Sequence, residues 1–178
     1  MGLIQVTFGA SKILWGADTP IDLGETLNGG EFLYKAEVTA QLGHSTGKTA
    51  HRFFVAAREV NVKVNLLEDV LSSLLCTMSD GQLREDGGDP TNKAIDFLVS
   101  MGAALPSDRL TLRPRGAVDG KKDIVLWKAT LLPELGFVTS DVQPRVYRVN
   151  FQALVDEDQN GRWRLARFGD VNIQPTHE

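Results

Sequence analysis

Eleven consecutive residues, Phe32 to Leu42, alternate in character. Phe32, Tyr34, Ala36, Val38, Ala40 and Leu42 share one face, which is largely apolar. Leu33, Lys35, Glu37, Thr39 and Gln41 share the other, which is largely polar. A strict period of two places successive side chains on opposite sides of an extended backbone, the signature of a half-buried strand. The pattern recurs at Arg145 to Val155, where Tyr147, Val149, Phe151, Ala153 and Val155 oppose Arg148, Asn150 and Gln152.

The segment His51 to Asn65 adds a complication. Phe53, Val55 and Ala57 set an odd-numbered apolar face, and Val60, Val62 and Val64 then set an even-numbered one. A one-residue slip moves every side chain to the other face. Either a β-bulge absorbs the extra residue, or the strand leaves one packed surface and joins another. Such a strand suits two packed sheets better than one flat sheet.

One segment carries helical spacing. Leu66, Leu67, Val70, Leu71, Leu74, Leu75 and Met78 form an apolar stripe. Asn65 is placed to cap it, with Glu68 three residues on, and Gly81 closes it. The spacing predicts a helix over about 66–78, packed on a sheet. Gln82 to Asn92 is polar and rich in turn formers and reads as a loop. Ala94 to Met101 reads as a strand, as do Leu110 to Arg113 and Asp123 to Leu132. The last pair, Arg145 to Val155 and Arg162 to Val171, is joined at Asp156 to Gly161. The fold class expected is mainly β: a two-sheet sandwich or barrel with one flanking helix, in a single domain spanning 1–178.

Length and charge narrow the function. At 178 residues the chain can bury a real core without disulfides. A net charge of −4 argues against a protein that grips nucleic acid over its whole surface. No apolar run approaches the ~18 residues of a membrane span. Met1 to Ala10 lacks the basic start and apolar stretch of a secretory signal, and the lone Cys76 fits a cytosolic product.

Two motifs suggest chemistry and fail on spacing. Gly43, His44, Ser45, Thr46, Gly47, Lys48 and Thr49 resemble a phosphate-binding loop. However, Leu42 stands where the first glycine belongs, and a strand pattern follows where a helix is needed. Asp156, Asp158, Asn160 and Gly161 match the first half of a calcium loop. Its twelfth position is Arg167 rather than Glu, and Asn160-Gly161 is a strong hairpin-turn signal. The three histidines, His44, His51 and His177, show no metal-ligand spacing with a cysteine. No nucleophile elbow is present. The expectation is a protein that is not an enzyme and needs no cofactor or metal. Arginines 145, 148, 162, 164 and 167 gather on the last two expected strands, with Arg162 and Arg164 on one face opposite Trp163 and Leu165.

The order of features resembles the tail tube (major tail) proteins of tailed bacteriophages. Ile13 to Gly24 (ILWGADTPIDLG) and Glu25 to Tyr34 (ETLNGGEFLY) are similar to that family's opening. Ala57 to Leu75 resembles its strand running into a helix, and Leu110 to Pro114 and Val149 to Val155 resemble later strands. The resemblance implies hexameric rings of this chain stacked into a tube, through which DNA passes without specific contacts. It implies a virion tail location after synthesis in the host cytoplasm, no membrane, and other tail proteins as partners: terminator, tape measure, and baseplate or tip. The flexible loop Gly43 to Thr49 becomes a candidate inter-subunit contact. Lys35, Glu37, Thr39 and Gln41 become a candidate polar sheet face. A tail terminator or neck ring, a secretion-system tube, and a small nucleotide-binding protein are the alternatives.

Overall fold

The computed structural model describes residues 2–42, 50–67, 75, 77–78, 81–85, 87–89, 93–97, 102, 104–117, 120–132, 136–138, 146–158, 160–170 and 173. Among these the strands are β1 (Gly2–Phe8), β2 (Ser11–Trp15), β3 (Ile21–Leu42), β4 (Ala50–Leu67), β5 (Gly81–Glu85), β6 (Lys93–Phe97), β7 (Ser107–Pro114), β8 (Ile124–Leu131), β9 (Gly136–Val138), β10 (Val146–Ala153), β11 (Asp156–Glu157), β12 (Trp163–Arg164) and β13 (Ala166–Phe168).

Six of them close on themselves. In order round the ring, β8, β7, β2, β3, β4 and β10 pair with their neighbours, and β10 returns to β8 through Phe151 opposite Leu131. Closure removes the exposed edges that an open sheet of these strands would carry. The alternating residues fill the interior. Val60, Val62, Val64 and Leu66 of β4 point inward, and Phe151, Val149 and Tyr147 of β10 lie opposite the last three of them. Ile13, Trp15, Leu23, Leu110, Leu112, Leu126 and Leu131 complete the core. Trp15 and Phe151 meet with ring centroids 5.9 Å apart. The mainly β architecture therefore agrees with the period-two reading, in its barrel form.

Three expectations need correction. The helix over about 66–78 does not begin where the stripe begins. Leu66 and Leu67 belong to β4, paired with Tyr147 and Val146, and Leu66 is buried in the barrel. Burial on a strand outweighed helical spacing there. Residues 68–74 and 76 lie outside the described residues; among the described ones of this stretch Leu75 is helical and Thr77 and Met78 are not, and the elements they form are all strands. The stretch Gln82 to Asn92, read as a loop, begins as a strand: Gly81–Glu85 pairs antiparallel with Lys93–Phe97. Its charged residues suit a two-stranded hairpin, where Arg84 Nε lies 2.8 Å from Asp96 Oδ2. Finally, the last two strands are not partners. The hairpin at Asp156 to Gly161 joins only β11 and β12, whereas β10 and β13 each pair with β8.

The long strands overrun the barrel. β10 accompanies β4 only over Asn61 to Leu67, and β2 accompanies β3 only to Glu25. β1 then takes over the same side of β3, from Gly30 to Ala36. The exchange of neighbours happens at a break in register between Thr26 and Gly30. There Asn28 and Gly29 adopt φ values of 60° and 79°. A Cβ at Gly29 would collide with the Phe8 carbonyl oxygen, so glycine is what lets β1 end against β3 at this point. Beyond Ala36, β3 and β4 continue together as a two-stranded arm, Glu37–Leu42 against Ala50–Ala57.

Candidate assembly surface

The arm carries the barrel's inner face out into solvent. Paired residues of an antiparallel sheet share a face. Phe32, Tyr34 and Ala36 lie opposite Val62, Val60 and Arg58, and Val38 and Ala40 then lie opposite Val55 and Phe53. The phase flip in β4 is a bulge. Glu37 pairs with Ala57 and Val38 with Val55, leaving Ala56 as the extra residue. Without that bulge Ala56 would take the inward position. With it, Val38, Ala40, Leu42, Phe53 and Val55 line up behind Val60 and Val62. Inside the barrel this face is buried. On the arm Val38 is 41% exposed, Val55 49%, Leu42 57% and Phe53 70%.

A groove opens at the root of the arm, where the inner face of β1, β3 and β4 leaves the closed barrel. Ile4 and Val6 lie opposite Tyr34 and Phe32 and share their face. Phe168 of β13 packs edge-on against Phe32, with centroids 4.4 Å apart. These residues and Trp163, together with Arg58 and Arg164, line a largely apolar groove of about 670 Å³. Trp163 is 80% exposed, Ile4 57% and Phe168 52%. A second depression, lined by Val55, Val155 and Trp163 among others, joins the groove's wall to the arm. Among the described residues, the outer edge of β1 and the outer edge of β4 from Ala50 to Val60 pair with no strand.

The opposite face is polar. Lys35, Glu37, Thr39 and Gln41 lie on β3 as a row, and all but the half-buried Lys35 are exposed. Lys35 Nζ stands 3.7 Å from Glu37 Oε1 and 3.9 Å from Glu59 Oε2. Such exposed pairs contribute little stability. Phe54, opposite Thr39, is an apolar exception on this face. The loop residues Gly43, His44, Ser45, Thr46, Gly47, Lys48 and Thr49 lie outside the described residues.

Charged residues elsewhere serve the barrel wall. The guanidinium carbons of Arg164, Arg109 and Arg167 lie 3.9, 4.9 and 5.1 Å from the Trp127 ring centroid, within cation–π range. Burial, and then the positive charges of Arg164 and Arg167, pull the Arg109 pKa below its ordinary value, against the opposing pull of Asp123. Asp123 is fully buried and holds Arg113 through both carboxylate oxygens. Arg164 Nε donates to Asp156 Oδ2 at 2.6 Å. The arginines grouped by sequence are therefore not one exposed face: Arg164 and Arg167 are half-buried against Trp127, Arg148 and Arg162 are exposed, and Arg145 lies outside the described residues.

The calcium-like segment is a turn. Asp158 Oδ1 accepts hydrogen bonds from the backbone N–H groups of Asn160 and Arg162, each at 2.9 Å. The Arg162 N–H is the main reason its carboxyl sits below the ordinary value. Gly161 takes φ 74° to complete the turn. Among the described residues no three His, Cys, Asp or Glu side chains gather as metal ligands. No helix among them is long and apolar enough to cross a membrane.

Sequence reasoning found the arm's strands and the phase flip but treated their apolar face as core. It placed Trp163 only as lying opposite Arg162 and Arg164, and it overlooked Ile4, Val6 and Phe168. The alternation Ile4, Val6, Phe8 is the signal that marks β1, whereas nothing local places Trp163 beside Val55. Compared with protein-family models and with curated proteins, the chain finds no match.

Proposed function

We propose that this chain is a structural subunit that assembles with copies of itself into stacked rings, forming a tube of the bacteriophage tail type through which DNA passes. In this reading the barrel is the tail-tube-like body and the arm and open edges are its joints. The observation that carries it is the overrun of β1, β3 and β4 beyond the barrel. That extension has an apolar face with no cover in the described chain and two edges with no strand partner. A monomer gains nothing from such a surface and risks aggregation. A ring that continues the sheet from copy to copy pairs both edges. The net charge of −4 supports a conduit, because a mildly acidic wall repels phosphate instead of holding it. Terminator, tape-measure and tip proteins are the partners such a tube requires.

Negative-stain microscopy and analytical ultracentrifugation of the purified chain test the reading. Rings, or filaments of stacked rings, are expected at high protein concentration. Monodisperse monomers under those conditions overturn it. Single rings that never stack point to the terminator or neck-ring alternative.

A further inference from the structure

The barrel wall carries a positive charge that the chain does not balance. Leu110 and Leu126 stand opposite each other and point into the core, so alternation turns Arg109 and Trp127 to the outer side. The register of β7 on β8 slips between Asp108 and Leu110, and an irregularity of this kind re-aims a side chain. Across β8, the Trp127 backbone N–H donates to the Leu165 carbonyl, which brings Arg164 and Arg167 to the same ring. Three guanidinium carbons thus stand no farther than 5.1 Å from one ring centre. They are not served alike. Arg164 has Asp156, and an Arg167 Nη1 hydrogen bond reaches the Ile173 carbonyl at 3.0 Å. Asp123, whose charge also acts on Arg109, is held by Arg113. Among the described residues the Arg109 guanidinium has no hydrogen-bond or ion-pair partner, and its Nε is buried without one. A buried charged N–H left unpaired is costly, and two like charges beside it raise the cost. A folded chain that keeps such a defect has a use for it, and a bound anion would remove it.

We propose that the cluster of Arg109, Arg164 and Arg167 around Trp127 is a binding site for a phosphate group. Charge selects an anion, because Arg109 has no counter-ion and two further guanidiniums stand beside it. Residue type selects the oxyanion, because the guanidinium fork matches phosphate oxygens at two points. Phosphate suits the cluster better than a carboxylate does. It brings roughly 1.5–2 negative charges at pH 7 and three strong acceptor oxygens, enough to serve more than one arginine at once. A carboxylate carries one charge, and Asp156 already supplies one to Arg164. Arg109, Trp127, Arg164 and Arg167 are all partly exposed, so a ligand reaches them from solvent. The proposal is independent of the self-assembly reading. The net charge of −4 opposes wholesale binding of nucleic acid, and the cluster is a local exception on that surface.

The test titrates the full chain with inorganic phosphate, pyrophosphate and malonate at constant ionic strength, so that screening is equal throughout. Tryptophan fluorescence and Tm are read together. Phosphate and pyrophosphate should change the fluorescence saturably and raise the Tm, since a ligand of the folded state stabilises it. Arg109→Gln should weaken binding roughly 10–100-fold, the scale of one hydrogen bond to a charged group. Arg148→Gln, which removes the same charge from an exposed position on β10, should leave binding unchanged. A gain in Tm that is the same in the wild type and in Arg109→Gln is a general salt effect and overturns the site. So does an Arg109→Gln variant that loses the same Tm in chloride and in phosphate, which marks a purely structural arginine. Malonate bound as tightly as phosphate overturns the choice of phosphate and assigns the cluster to carboxylates. A single-stranded oligonucleotide without terminal phosphates separates the two sources of the group. Arg109-dependent competition with pyrophosphate places it on a nucleic-acid backbone, whereas no competition leaves free phosphate or a phosphate monoester, and either result supports the site.

Discussion

Gly29 shows how one residue fixes the join between barrel and overrun. Its φ of 79° and its contact with Phe8 leave no space for a side chain. Gly29→Ala should cost about 2–3 kcal/mol, the scale of a non-glycine residue held in a left-handed conformation. For a chain of this size that is a fall in Tm of roughly 4–12 °C, readable by calorimetry. Asp158 makes a different kind of contribution. Its carboxyl is lowered from 3.8 in the folded state, chiefly by the Arg162 N–H and also by the Asn160 N–H and the charges of Arg162 and Arg164. A depressed carboxyl stabilises the fold above its unfolded pKa, and the effect is lost as pH falls through the folded value. The Tm of the wild-type chain should therefore exceed that of Asp158→Asn at neutral pH. The gap should close as the pH drops below 3.8 in a series of thermal melts.

At the scale of the element, β4 is one strand in two environments. Its residues Val60, Val62, Val64 and Leu66 are packed inside the barrel, whereas Phe53 and Val55 are exposed on the same face. Val62→Ala should cost about 1–3 kcal/mol through lost burial and the cavity left behind. Val55→Ala should change monomer stability by less than ~0.5 kcal/mol, because its side chain loses little on truncation. Urea titrations of the two variants check the contrast, and equal effects would mean that the arm is covered within the monomer. The strand's alternation was legible residue by residue, and so was the phase flip between Ala57 and Val60. The choice between bulge and change of surface was not legible, because it depends on the pairing of Val38 with Val55 across β3. The same limit explains Leu66. Its helical spacing was genuine, but β10 lies alongside and Tyr147 pairs with it, so burial decided its conformation. Gln82 to Glu85 are an opposite case: too polar to announce a strand, they become one because Lys93–Phe97 is there to pair with them.

For the whole molecule, the joints proposed for assembly are apolar, and that has a consequence for salt. At about 1 M sodium chloride the Debye length is ~3 Å, so contacts held by charge weaken sharply. Contacts held by the arm's Phe53 and Val55 should persist, and sulfate should strengthen them by favouring burial. Sedimentation velocity across a salt series measures this, and rings that dissolve in high salt would contradict an apolar joint. The sequence by itself determined the building material: extended strands, their two faces, the turn at Asn160-Gly161 and the mismatch in phase along β4. Those properties are local, set by side-chain alternation and by backbone freedom at glycine. Only the tertiary structure decided which part of the apolar face is core and which is surface. Barrel closure through β8 and β10 covers Val60 to Leu66, and the same face runs on past the last neighbouring strand, where nothing in the described chain covers it. Burial is a property of what lies opposite. Alternation states only which side chains face the same way.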